Sequence, residues 1–308
     1  MRPKNKLYNL AIHGGAGALQ PHKYTSKQIS EYEKCLIASM TKGQSILEKG
    51  GTAIEAVIES VVIMENSPLF NAGRGSVFSS DETIEMDASV SCGRRIKTGG
   101  VTNVTRLKNP VWGAFHVLEN SKHALLSGLS ADLYCLNAGL EHESQQYFKT
   151  EHRLKQLHEA MEKDIVQLDH GDKVGTVGAV AMDIKGNLAS ATSTGGMTNR
   201  HPGRVSDTSI QGAGTYAENG LVAISGTGTG DIFIQNVLAY DMAAMMKYAG
   251  ISMNEAASTV LEKLKIKGGS GGLIAINKSG KTILPYNTHG MFRAWLNESG
   301  KIQTGIFK

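Results

Sequence analysis

VGTVGAVAMDIKGNLASATSTGG, residues 174–196, sets two apolar, small-residue runs on either side of the turn residues Lys185-Gly186-Asn187. That pattern predicts a buried β-hairpin, because runs of about four to eight apolar residues bounded by turn formers suit strands covered by other layers. Just upstream, EHESQQYFKTEHRLKQLHEAMEKDIVQLDHGDK is polar and charge-rich with few apolar anchors. Residues 141–175 are therefore expected to be a mobile linker whose middle could form a solvated helix. Thr176 stands at the junction, directly after Gly175.

Towards the N-terminus, the opening LYNLAIHGG reads as a strand ending in glycines, followed by a helix over 28–49 and a second helix from Thr52. Thr52 and Glu55 have capping-box spacing. Glycine-punctuated, alternating sequence over 70–105 suits strands, and 110–120 is helix-like. After the hairpin come a strand at LVAIS, a helix from Asp231 to Tyr248, a helix opened by Ser252 and Glu255, and a second hairpin, LIAINKSGKTILP. Strands in clusters and helices in pairs predict an α+β fold: two mostly antiparallel sheets with helices outside them.

Composition narrows the function classes. The 308 residues admit about two domains or one large unit. Hydrophobic residues are 41% and charged residues 19%, with no apolar run near the roughly 20 residues of a membrane span, so a membrane protein is not expected. No signal-peptide core is legible at the start, and a cytoplasmic location is expected. A net charge of +4 spread over the chain, without a basic stripe interleaved with aromatics, argues against a nucleic-acid partner. Cys35, Cys92 and Cys135 are widely spaced and read as isolated thiols. Glycine, at 36 residues against 6 prolines, is in excess, pointing to tight turns and to backbone that approaches something closely.

The glycine-rich HGGAGAL at 13–19 lacks the lysine of a P-loop, and GTGTGD at 226–231 lacks the full dinucleotide fingerprint. GTGTGD does lead into a helix, so its N–H groups could serve an anion or an oxyanion. No histidine or carboxylate spacing supports catalytic metal, and His13 reads as structural rather than as a base. Threonines are the conspicuous feature: Thr192, Thr194, Thr198, Thr227 and Thr229 lie in two glycine-flanked loops. A threonine hydroxyl needs a base beside it, and a chain break at Gly175-Thr176 would supply one as Thr176's own α-amine, with a pKa of about 8. The same hydroxyl could make that break by an N-to-O acyl shift. Arg204 and Asp207, in GRVSDT after Pro202, could present a guanidinium and a carboxylate to the two charged ends of an α-amino acid.

HGGAG at 13–17, PLFNAGRGSVF at 68–78, MDAS at 86–89, GTVGAVAMD at 175–183, TSTGGMTNRHPGRVSD at 192–207, SGTGTGD at 225–231, GGSGGLIAI at 268–276 and NTHGMFRAW at 287–295 together resemble the plant-type L-asparaginases, or isoaspartyl peptidases, over nearly the whole chain. The resemblance implies an N-terminal-nucleophile hydrolase with a four-layer αββα sandwich, one domain over 1–308. It implies self-cleavage into an α chain, 1–175, and a β chain, 176–308, assembled as a dimer of αβ pairs. It assigns Thr176 as nucleophile, Thr194 as its orienting partner, and Thr227 with the Gly228 N–H as oxyanion hole. Arg204, Asp207 and Gly230 would bind the substrate, Asn71 would support the nucleophile, and Gly14 and Gly15 would shape the cleavage site. No catalytic cofactor is implied. A structural sodium is, on backbone carbonyls of Met64, Glu65, Ser67, Phe70, Ala72 and Arg74.

The family's GRVGDS departs here to GRVSDT, with Ser206 for the glycine and Thr208 for the serine. The linker is also shorter than in bacterial members. Alternatives are a glycosylasparaginase, which shares the nucleophile but carries HDTIGMV-like and TSTNG segments, a taspase-type endopeptidase, and an unprocessed amino-acid-binding homologue. L-Asparagine and β-aspartyl dipeptides present the same α-amino acid end to Arg204 and Asp207 and stay unranked.

Overall fold

The structure, a computed structural model, describes residues 8–166 and 175–308. Its elements are β1 (Asn9–Gly17), α1 (Ser26–Glu48), α2 (Ala53–Glu65), β2 (Met86–Cys92), β3 (Lys97–Val104), α3 (Pro110–Asn120), β4 (Leu125–Ser127), α4 (Gly128–Asn137), α5 (Gln145–Phe148) and α6 (Glu151–Glu162). After Thr176 come β5 (Val177–Met182), β6 (Leu188–Thr194), β7 (Thr215–Glu218), β8 (Val222–Gly228), α7 (Gly230–Asn236), α8 (Leu238–Tyr248), α9 (Met253–Ile266), β9 (Gly271–Asn277), β10 (Thr282–Ile283), β11 (Gly290–Leu296) and β12 (Ile302–Phe307).

The hairpin of residues 174–196 forms as expected: β5 and β6 pair antiparallel, with Val177 opposite Ser193 and Met182 opposite Leu188. It sits inside a sheet ordered β12-β11-β1-β5-β6-β2-β3-β4, in which only β3 and β4 run parallel. A second, antiparallel sheet is ordered β10-β9-β8-β7. Side-chain alternation gives each sheet two buried faces. From β5, Val177, Ala179 and Ala181 join a core with Leu36, Val57 and Val61 of α1 and α2, while Val180 and Met182 join Ala223 of β8 and Ile274 and Ile276 of β9. The opposite face of the smaller sheet, with Ile224 and Leu273, packs on Met242, Val260 and Leu264 of α8 and α9. The chain is thus mixed α+β, with its strands gathered into two sheets.

Helix starts are the most legible local feature. Thr52 caps α2 in a complete capping box with Glu55, and Ser252 accepts the Glu255 N–H at the start of α9. The helix expected over Asp231 to Tyr248 is instead two, α7 and α8, divided at Val237, which adopts a left-handed backbone (φ 48, ψ 46).

The linker expected over 141–175 needs correction. Its first half is packed: α5 and α6 bury Phe148, Leu157 and Ala160, and Phe148 and Leu157 belong to the core under the larger sheet. Few apolar anchors suffice because Arg153 is buried as well, donating from Nε to the Gly75 carbonyl (2.8 Å) and from Nη1 to Gln156 (3.1 Å). Burying a satisfied guanidinium lets its methylene stem act as apolar surface. Residues 167–174 of that expected linker lie outside the described residues. Among the described residues no helix is long and apolar enough to cross a membrane.

Candidate active site

Three strand ends and one loop converge on Thr176, which stands immediately before β5 and is 8% exposed. Thr194, the last residue of β6, receives the Thr176 hydroxyl, Oγ1 to Oγ1 at 3.2 Å, and also accepts the Gly196 N–H at 3.1 Å. Thr227, near the end of β8, carries an Oγ1 that accepts the Ala16 N–H of β1 at 3.3 Å. A methyl on Gly175 would stand 3.1 Å from that oxygen, so Thr227 faces the Gly175-Thr176 junction. Gly228 follows at φ 145, and a side chain there would meet the Ser270 carbonyl at 2.3 Å, which reserves the position for glycine.

A cavity of about 30 Å³ opens at this junction, lined by Gly175, Thr176, Thr194, Arg204, Asp207 and Gly228 among others. Gly175 is itself part of the wall. The volume holds about one or two water molecules and no amino acid. Release of the Gly175 end is what would enlarge it.

The opposite wall is charged. Arg204 pairs through Nη2 with Asp231 Oδ2 at 2.8 Å, while its Nε is buried with no hydrogen-bond partner among the described residues. Asp207 is buried, its Oδ2 has no partner either, and burial, opposed by the Arg204 charge, pushes its pKa up to about 7. A Cβ on Gly230 would lie 2.4 Å from Asp207 Oδ1 and 3.0 Å from Arg204 Nη2, so the missing side chain leaves both groups room. Ser206, also on the cavity wall, adds a buried hydroxyl without a partner among the described residues. An unpaired buried polar atom costs about 1–3 kcal/mol. Three together mark a surface shaped for something that supplies the missing bonds.

Asn71 does not touch Thr176. Its Nδ2 donates to the Gly196 carbonyl (2.8 Å), its Oδ1 accepts the Val77 N–H (3.0 Å) and its carbonyl accepts the Gly195 N–H (3.0 Å). It therefore fixes the turn behind Thr194. Gly14 and Gly15 form the bulge of β1: a methyl on Gly14 would strike the Phe70 ring at 2.4 Å, and one on Gly15 (φ 107) the Gly175 nitrogen at 2.3 Å. The approach of β1 to the junction depends on both.

Several supporting groups have roles that only the fold brings out. Asp87 accepts the Ser206 N–H at 2.7 Å and the Asn103 N–H at 2.8 Å, pinning the loop that holds Asp207. His13, read as structural from its strand-end position, bonds the Thr176 carbonyl through Nδ1 (3.0 Å) and Ser225 through Nε2 (2.8 Å). Burial holds its pKa near 3, so the ring is neutral.

The carbonyls expected to hold sodium run from the last turn of α2 to Arg74, on both sides of Asn71. The Met64 and Ala72 carbonyls accept the Ser67 and Gly75 N–H groups, each at 3.2 Å. Those of Glu65 and Phe70 crowd Gly73 and Gly75, where a Cβ would meet them at 2.3 and 2.0 Å. The Glu65 side chain points elsewhere, its Oε1 accepting the Ser193 hydroxyl (2.6 Å) and the Val111 N–H (3.0 Å), and burial pushes its pKa up to about 7. Among the described residues no group of three or more His, Cys, Asp or Glu side chains is arranged to hold a metal ion.

With this geometry stands a match to known proteins: the profile of the asparaginase family covers residues 6–306, and the chain belongs to that family. Among its relatives, the isoaspartyl peptidase of Escherichia coli K12 is 47% identical over 307 residues, 97% of this chain and 96% of the relative. The isoaspartyl peptidase/L-asparaginase of Rattus norvegicus is 40% identical over 299 residues, 96% of this chain and 88% of the relative. That of Xenopus laevis is 35% identical over 299 residues, 97% and 94% respectively.

Proposed function

We propose that the chain is a self-processing threonine amidohydrolase that converts β-aspartyl dipeptides and L-asparagine to L-aspartate, with Thr176 as nucleophile. One observation carries this reading: the Thr176 hydroxyl, bonded to Thr194, borders the same cavity as a guanidinium and a carboxyl whose buried atoms lack partners.

Maturation comes first. Thr176 Oγ1 attacks the Gly175 carbonyl carbon, the C–N bond breaks as the ester forms, and water hydrolyses the ester, leaving a Gly175 carboxylate and a free Thr176 amine. In turnover that amine takes the hydroxyl proton as Oγ1 attacks the substrate's side-chain amide carbon. The oxyanion sits on Thr227 Oγ1 and the Gly228 N–H, each such donor contributing about 3 kcal/mol. The amine returns the proton to the leaving ammonia or amino acid, then activates the water that frees aspartate. Arg204 holds the α-carboxylate, Asp207 the α-ammonium, with Gly230 leaving room between them. Asn71, Gly14 and Gly15 keep the surrounding turns in place.

Under the same reading the two sheets and their helices stack as the four-layer αββα sandwich of N-terminal-nucleophile hydrolases. The 1–175 and 176–308 chains pair and dimerise in the cytoplasm, and the carbonyls of Met64, Glu65, Ser67, Phe70, Ala72 and Arg74 hold sodium. Replacing sodium by choline should then lower the melting temperature while leaving the cleaved masses unchanged; an unaltered melting temperature removes the ion from the scheme.

Intact mass after incubation at neutral pH, with N-terminal sequencing of the fragments, tests the central claim. A fragment beginning Thr176-Val177-Gly178 and hydrolysis of a β-aspartyl dipeptide are expected. A persistent 32.9 kDa chain without hydrolysis overturns it.

A further inference from the structure

Behind Thr176 runs a chain of buried hydrogen bonds that the proposed reaction does not use. The Thr176 carbonyl lies 3.0 Å from His13 Nδ1, His13 Nε2 lies 2.8 Å from Ser225 Oγ, and Ser225 Oγ lies 2.8 Å from Thr192 Oγ1. Thr215 Oγ1 completes it, 2.6 Å from Thr192 Oγ1 and 3.1 Å from the Thr208 carbonyl. All four side chains are buried.

The proton positions follow from valence. A neutral imidazole has one N–H, and a carbonyl only accepts, so Nδ1 carries the proton and Nε2 accepts. Ser225 must then donate to Nε2, leaving Thr192 to donate to Ser225 and Thr215 to donate to Thr192. With this tautomer each of the four groups spends its one proton inside the series, so the contact of Thr215 Oγ1 with the Thr208 carbonyl carries no proton, and that carbonyl accepts the Ser89 hydroxyl (2.5 Å) instead. Gly178, opposite His13 in the β1–β5 pair, is glycine for the same reason: a Cβ there would stand 2.0 Å from Ser225 Oγ and 2.5 Å from His13 Nε2.

We infer that His13 is a positioning residue for the nucleophile: its Nδ1–H clamps the Thr176 carbonyl, and the Ser225–Thr192–Thr215 hydroxyl chain fixes the ring that does so. This rests on the reading of Thr176 as a residue freed at its amino end. Once the bond to Gly175 is gone, Thr176 keeps only its carbonyl side as backbone tether, and new chain termini fray unless tied down. The clamp holds the carbon from which both the amine and, through Cα and Cβ, the hydroxyl are suspended. Reactive geometry is steep enough that a displacement of about 1 Å can cost on the order of 100-fold in rate.

Four variants and two readouts test this. In H13N the amide nitrogen falls near the place of Nδ1, whereas in H13Q it falls near Nε2, so H13N alone keeps a donor for the carbonyl. Self-cleavage would be followed by intact mass, and kcat and KM measured on a β-aspartyl dipeptide. H13A and H13Q should lower kcat by roughly 10- to 100-fold with KM within about twofold, while H13N recovers to within about fivefold of wild type. If variants stall as precursors, the cleavage rate reads the same order, since the same Oγ1 attacks. S225A leaves the ring in its slot and should reduce kcat by about threefold to tenfold, by freeing the ring rather than removing it. The inference is overturned if wild type matures but H13N is no better than H13Q, if H13A keeps the wild-type kcat, or if the loss appears in KM. Wild type that never releases a chain beginning at Thr176 overturns the nucleophile assignment itself, and the clamp with it.

Discussion

Behind Thr176, His13, Ser225, Thr192 and Thr215 satisfy one another in an unbroken series, whereas on the facing wall Arg204 Nε, Ser206 Oγ and Asp207 Oδ2 are buried without hydrogen-bond partners among the described residues. Thr176 and the facing Arg204, Ser206 and Asp207 line one small cavity and the His13 series lies behind Thr176, yet the polar groups of the two sides are in opposite states. A satisfied network in a low-dielectric interior is rigid, and a partly satisfied one is costly. The contrast separates the side that folding completes from the side that a ligand completes. Under the proposed reaction, the nucleophile must stand still before substrate arrives, while the binding wall would gain its bonds from the substrate.

Removing the group that the first wall serves puts this contrast under the greatest stress. Thr176→Ala should abolish the two-chain form and lower hydrolysis by more than roughly 1,000-fold, as removal of a covalent nucleophile does elsewhere. Intact mass and a substrate assay read both effects. Retained hydrolysis would mean that the ordered wall positions something other than a nucleophile.

Next in size is Asp207→Asn on the second wall. Truncating one charge of a desolvated pair costs about 2–5 kcal/mol, so kcat/KM should fall by roughly 30- to 5,000-fold. Stability should move the other way. Burial raises the Asp207 pKa from 3.8 to about 7, so between these values the folded state holds a proton that the unfolded state releases. Folded wild type therefore loses stability as pH rises from about 4 to about 7, and the loss is constant above that. The variant's gain in melting temperature should be larger at pH 8 than at pH 5. An equal gain at both values would remove charge burial as its cause.

The two walls are also unequally legible in the sequence. Arg204 and Asp207 announce themselves by charge beside glycine, and Thr176 by standing where a polar stretch meets a buried hairpin. His13 opens HGGAG, but its role is not legible there, because it depends on Ser225 and Thr192, residues 212 and 179 positions away that only the sheets bring near. The packing of α6 is hidden for a related reason: a buried Arg153 looks in sequence like a solvated charge, and only the Gly75 carbonyl beside it reveals otherwise. Val237 hides the break between α7 and α8, being a β-branched residue where a breaker would be glycine or proline. Leu157→Ala should lower stability by about 2–5 kcal/mol, a core-sized loss that a solvated linker would not show; chemical denaturation measures it.

Ser206 gives the smallest and most discriminating effect. Its backbone is extended (φ −87, ψ 164), so glycine is not required there for conformational reasons, and its N–H is held by Asp87 at 2.7 Å whatever the side chain. Serine for the family's glycine thus changes one thing at the cavity wall, a buried hydroxyl without a partner. If the wall is completed by substrate, Ser206→Gly removes a bond of about 0.5–1.5 kcal/mol, and KM should rise roughly twofold to tenfold with kcat held. An unchanged KM together with a higher melting temperature would show a hydroxyl that stays unpaired even in the complex. Ser206 would then belong to neither wall's logic, and the ligand-completed surface would shrink to Arg204 and Asp207.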